Sequence, residues 1–130
     1  MFNKEKITSL KKLTLTLSGM RVTEEYEIIG ADGRAELSLY TIIYSHGKDE
    51  RRLKKRAETD IDEIISILNE CRVYKWDGFN GKNPPHVLDG TMFTLKAEIN
   101  NDEKIYAHGS NNYPKNYREF MNHLYELLNK

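Results

Sequence analysis

Leu13, Leu15 and Leu17 alternate with Thr14, Thr16 and Ser18. A period of two places the leucines on one side of an extended chain, so this run predicts a half-buried strand ending at Gly19. Residues 24–29, EEYEII, predict a second strand with Tyr26 and Ile28 on one face. The Asp32-Gly33 pair in GADGR supplies the positive φ that a tight hairpin turn needs. ELSLYTIIY at 36–44 is the third strand, with Leu37, Leu39, Thr41 and Ile43 sharing a face. After a turn at His46–Asp49, the run RRLKKR at 51–56 predicts a short fourth strand, and its Lys and Arg suit an edge.

The period then changes. Ile61, Ile64, Ile65 and Leu68 fall at i, i+3, i+4 and i+7, which makes one apolar stripe on a helix. That helix starts at Thr59 or Asp60, with Asp60 and Glu63 spaced as a capping box, and stops near Cys71. Val73–Trp76 reads as a short strand, and DGFNGKNPPHVLDG at 77–90 as a long irregular loop, since its Gly, Asn and two prolines exclude a helix or a central strand. Residues 91–98 and 103–108 form a hairpin across Asn100–Asp102. In its first strand Phe93, Leu95 and Ala97 face one way and Met92, Thr94, Lys96 and Glu98 the other.

Residues 109–114, GSNNYP, join this hairpin to the last helix. Gly109 ends the strand, Ser110, Asn111 and Asn112 offer capping groups, and Pro114 fits the first helical position. Tyr117, Phe120, Met121, Leu124, Leu127 and Leu128 give that helix its apolar stripe. The predicted architecture is α+β: a single two-layer domain over 1–130 in the order ββββ-α-βββ-α. A mostly antiparallel curved sheet packs two helices on one face. Residues 1–9 are expected to form a mobile or lightly docked arm.

Composition narrows function more than it names one. The chain has 130 residues, 20 basic against 20 acidic, so its overall field favours neither nucleic acid nor a membrane. Cys71 is the only cysteine, which excludes an internal disulfide and a multi-thiolate zinc site. The lysines at 4, 6, 11 and 12 precede an alternating run rather than the continuous apolar run of a secretory signal. No segment is apolar for the length of a membrane span, so a cytoplasmic protein is expected.

Three motifs in order, WDGF at 76–79, VLDG at 87–90 and GSNNYPKNYREF at 109–120, resemble those of an uncharacterised family of small bacterial proteins. That family's pattern is W-[DN]-G-F, V-L-D-G and G-S-N-x-[YF]-P-x-N-Y. The resemblance covers the half of the chain from Trp76 onward. It implies a shared fold and loop cluster, and no reaction.

The candidate chemistry is sparse. No nucleophile elbow, P-loop or dinucleotide fingerprint occurs, and no catalytic residue, metal ligand set or cofactor is assigned. Asp77 and Asp89 flank the long loop and each precedes a glycine, so each serves a turn, or the two act as paired carboxylates. With His86 they define a metal-dependent hydrolase alternative. His86 and His108 are the two histidines the fold is able to bring together. Trp76 and Phe79 either cap the core or anchor a partner. The leading expectation is a non-enzymatic binding module. It recognises a protein or small polar ligand through Trp76, Asp77, Phe79, Asp89, Ser110, Asn111 and Tyr113, where the 77–90 loop meets the 109–114 joint. The alternative is nucleic-acid binding along the basic strand through Arg51, Arg52, Lys54, Lys55 and Arg56.

Overall fold

Each alternating run becomes a strand of one sheet. The computed structural model describes residues 6–19, 22–82 and 91–129. Its strands are β1 (Leu10–Ser18), β2 (Thr23–Ala31), β3 (Arg34–Ser45), β4 (Lys48–Asp60), β5 (Asn80–Gly81), β6 (Met92–Ile99) and β7 (Glu103–Ser110). Helix α1 (Ile61–Glu70) follows β4, and α2 (Tyr117–Leu128) follows β7. The sheet order is β4-β3-β2-β1-β6-β7-β5. Every neighbouring pair is antiparallel except β5 and β7, which run parallel. The chain is thus the α+β domain that the periodicities predict, in the order ββββ-α-βββ-α.

Register explains the core. Leu13 lies between Ile28 and Ala97, Leu15 between Tyr26 and Leu95, and Ile28 beside Leu37. All of these face one side, where α1 and α2 pack against β3 and β4. Ile64, Ile67 and Leu68 of α1 and Phe120, Leu124, Leu127 and Leu128 of α2 complete the interior. Cys71 lies fully buried there. Burial pushes its thiol up to about 11, with Glu119 and Glu70 adding to the shift, so it stays protonated and inert. Residues 6–9, within the segment expected to be a mobile or lightly docked arm, are docked. Ile7 is buried and its backbone exchanges hydrogen bonds with the Asn69 side chain, at 2.8 and 2.9 Å.

Four local expectations are corrected. The short fourth strand expected at 51–56 is thirteen residues long, Lys48–Asp60, and takes in Lys48 and Asp49 of the expected turn. Val73–Trp76 is a single 3₁₀ turn, not a strand: Arg72 adopts a left-handed conformation (φ 55°) that turns the chain off α1. The strand between α1 and β6 is instead Asn80–Gly81. Asp60 stands at the α1 N-cap but makes no capping hydrogen bond through its side chain, which pairs with Arg34 at 2.5 Å instead. The α2 N-cap is Asn116 (φ 70°), so Pro114 precedes the helix rather than opening it, and Gly109 and Ser110 still belong to β7.

Candidate functional site

The site is built on the β7 edge of the sheet. After the 3₁₀ turn, Gly78 turns the chain with φ 84° and its N–H donates to the Tyr106 carbonyl at 2.9 Å. Asp77 Oδ1 accepts the Tyr106 N–H, also at 2.9 Å. Asp77-Gly78 therefore holds both backbone groups of one β7 residue, which is the turn role its sequence allowed. The His108 N–H then donates to the Phe79 carbonyl at 3.0 Å, and Asn80–Gly81 pairs alongside His108–Gly109. The WDGF motif lays the chain along an otherwise open strand edge.

The joint folds back over that strand. Asn111, in left-handed conformation (φ 52°), clips the base of β6: its N–H donates to the Thr91 carbonyl at 3.0 Å and its side-chain oxygen accepts the Thr91 N–H at 3.1 Å. Left-handed backbone and a short carbonyl side chain are together what asparagine supplies. Asn112 packs its backbone onto Gly81 and Gly109, where a side chain on either glycine would collide with it. The described part of the loop and the joint thus lie together at one end of the sheet.

Above these glycines the aromatic side chains form a series. Phe120 meets Trp76 edge-on at 5.5 Å, and Trp76 lies against Tyr117 at 5.9 Å. Phe93 touches Phe79 (6.0 Å), Tyr117 (5.2 Å) and Tyr113 (5.4 Å), and Tyr113 stacks on Tyr117 at 4.6 Å. Trp76 Nε1 donates to the Lys115 carbonyl at 2.9 Å, so its one polar atom is satisfied inside. Burial, then its neighbours Tyr113 and Tyr26, raise the Tyr117 phenol well above the ordinary tyrosine range, which keeps it neutral. The series begins in the core at Phe120 and ends at Tyr113, which is 37% exposed. Beside Tyr113 an open groove of about 690 Å³ runs along the start of α2, lined by Pro114, Tyr117, Arg118, Met121 and Asn122.

Of the residues singled out from sequence, Phe79, Asn111 and Tyr113 belong to this cluster, and Ser110 ends β7 opposite Met92. Trp76 belongs to it as buried support, 2% exposed, and offers no anchor to a partner. Asp77 sits beside Tyr106, roughly 13 Å along β7 from Ser110, away from the groove. Asp89 and His86 lie outside the described residues, so the paired-carboxylate and two-histidine arrangements do too. Among the described residues no three His, Cys, Asp or Glu side chains converge in a metal-binding group. Sequence reasoning missed Phe93, Tyr117, Arg118 and Met121 as contributors to the site. The available signal was the pair Tyr113 and Tyr117, one helical turn apart in number although Tyr113 precedes the helix.

The basic strand is an edge, as its composition indicated, and its charges are engaged. Arg51 binds Glu25 at 2.7 Å and Glu27 at 3.1 Å and lies over the Tyr40 ring at 3.6 Å. Arg52 pairs with Glu50, Lys54 with Glu24, and Arg56 with Glu36, Ser38 and Tyr40. Lys55 donates to the Asn129 side chain.

Comparison of the chain with protein-family models, with curated proteins and with solved structures finds no match in any of the three. No helix among the described residues is long and apolar enough to cross a membrane.

Proposed function

We propose that the protein is a non-enzymatic binding module that recognises a protein or small polar ligand where its 77–82 segment meets the 109–114 joint. One observation carries this reading. The aromatic series is rooted in the core at Phe120 and Trp76 and ends in a half-exposed Tyr113 at the head of a groove. A ring held by stacking loses little conformational freedom when a partner covers it, and aromatic anchors of this kind dominate interface energetics. Arg118 and Asn122 supply polar contacts along the groove, and Met121 an adaptable apolar one. The three sequence motifs, two of which meet here, would mark a shared site in the bacterial family they resemble.

The test is affinity capture with the wild type beside Tyr113→Ser and Arg118→Glu, both changes at exposed positions. A protein or small molecule held by the wild type, lost from both variants and indifferent to nuclease supports the reading. Capture that both variants retain overturns it. Nucleic-acid binding by β4 is the weaker reading, because a phosphate there must displace Glu24, Glu25, Glu27, Glu36 and Glu50 from their cations.

A further inference from the structure

Both helices cover one face of the sheet, and among the described residues no element covers the other. That open face is not uniform. On its β2–β4 side, Arg51 and Arg56 lie among Glu25, Glu27 and Glu36. On its β1–β6–β7 side, register builds two cross-strand rows, Lys12–Glu98–Lys104 and Thr14–Lys96–Tyr106. These residues line a hollow of about 340 Å³. Three lysines thus surround one glutamate. Lys12 also reaches Glu27, at 3.7 Å, whereas Lys96 makes no ion pair among the described residues. The Lys96 ammonium lies over the face of the Tyr106 ring, 6.0 Å from its centre, where a stacking base would move it aside; the ring is 47% exposed, and the His108 ring flanks it at 5.5 Å.

The Tyr106 platform is rigid for a strand so near an edge. Its backbone N–H and carbonyl are held by Asp77 and Gly78 on one side, and β6 pairs with it on the other. A flat, half-exposed ring on a strand whose backbone is held from both sides, next to a hydroxyl and the Lys96 ammonium, is suited to an aromatic base with its phosphate: the base stacks and the ammonium takes the charge.

We propose that this hollow binds a nucleotide, with the base on Tyr106 and the phosphate on Lys96. A free nucleotide and one unit of a single-stranded RNA present the same chemistry. The site is on the opposite face from the helices and does not depend on the Tyr113 groove.

The test is equilibrium binding of AMP, ADP and a short single-stranded RNA to the full chain at low and moderate salt, with inorganic phosphate as a control. The expected result is binding that weakens with salt. Tyr106→Ala lowers affinity about tenfold, Tyr106→Phe leaves it close to wild type, and Lys96→Gln weakens binding and flattens the salt dependence. Both positions are exposed, and an unchanged urea midpoint verifies that the variants are folded. Tighter binding of RNA than of the mononucleotides identifies the polymer as the source, and equal binding identifies the free nucleotide. Three results overturn the proposal: no binding of any nucleotide probe at millimolar concentration, binding unchanged in Tyr106→Ala, or phosphate alone bound as tightly as AMP.

Discussion

Single residues decide how closely the joint seats on the sheet. A Cβ at Gly109 would collide with the Asn112 carbonyl and lie 2.7 Å from Phe93 Cε1, and one at Gly81 would lie 2.7 Å from the same carbonyl. Both glycines are therefore clearances for one peptide, and neither has the positive φ of a turn residue. Gly109→Ala is expected to cost about 1–3 kcal/mol by overpacking, read as a lower urea midpoint together with shifted NMR signals of Tyr113. Gly33→Ala is the contrast: φ is +77° and nothing lies within 4 Å, so its cost is backbone strain of about 1–2 kcal/mol with no change at Tyr113. Cys71 carries a different prediction. Its native pKa of about 11 lies above the ordinary 9.0, because the thiolate would be formed inside the core. The native state holds that proton longer than the unfolded state does. Its contribution is therefore fully present below about pH 9 and is lost as pH rises through 11, on the order of 3 kcal/mol in all. Urea titrations at about pH 8 and pH 11 are expected to show a smaller pH-dependent loss in Cys71→Ala than in wild type. An equal loss in both would mean that groups other than Cys71, among them the partly buried Tyr26 and Tyr117, carry the alkaline sensitivity.

At the scale of elements, β4 shows what a charged strand does when its charges are matched. Glu27 is only 9% exposed on the open face, and Arg51 is its close partner, with Lys12 at 3.7 Å. Removing Arg51 leaves a nearly buried carboxylate poorly compensated, so Arg51→Ala is expected to destabilise by about 1 kcal/mol, a figure kept low because Arg51 itself is half exposed. Lys54→Ala, which breaks a more exposed pair with Glu24, is expected to change stability by less than about 0.5 kcal/mol. Paired urea denaturations check both; equal costs would mean that burial of Glu27 is not what Arg51 answers. Elements of this kind were legible in sequence because their periods were long. The Leu-Thr alternation of β1 and the stripe of α2 each repeat one signal several times, whereas the Asp32-Gly33 turn was legible because that pair supplies the positive φ a hairpin needs. Short elements were not. Val-Tyr-Lys-Trp has the composition of a strand, yet Arg72 sends it into a 3₁₀ turn and Trp76 turns inward to Lys115. The strand that does form, Asn80–Gly81, has little intrinsic strand preference and exists because β7 offers an edge and Gly81 fits under Asn112. The site was half legible for the same reason. The motifs marked where loop and joint meet, but the inward aim of Trp76 and the contribution of Phe93 from another strand are tertiary facts without a local pattern.

The whole molecule balances an exposed edge against a neutral surface. Net charge is zero and the isoelectric point is about 6.9, so long-range repulsion does little to keep copies apart near neutral pH. At the same time β4 forms one end of the sheet order and is thirteen residues long, and a long open edge is a template for another strand. Two features oppose pairing. A register shift at Leu39 and Tyr40 bulges β4 at Lys54, which interrupts the straight run of backbone groups. Laying β4 antiparallel on itself about Leu53 also sets Arg51 against Lys55 and Arg52 against Lys54, so like charges meet at the centre. The other end of the sheet is shielded differently: β5 is only two residues long and lies against β7 under the joint. Local charge on β4 thus substitutes for the global charge that the chain lacks. Replacing Arg52, Lys54 and Lys55 together with threonine removes the central repulsion while leaving Arg51 on Glu25 and Glu27. The triple variant is expected to keep its fold and to self-associate with rising concentration, measured by sedimentation velocity near neutral pH, with the association insensitive to Tyr113→Ser. A triple variant that sediments like the wild type at every concentration would show that like charges across β4 are not what keeps the edge unpaired. The lysines and arginines of β4 would then need another explanation, and phosphate binding by that strand would regain its standing.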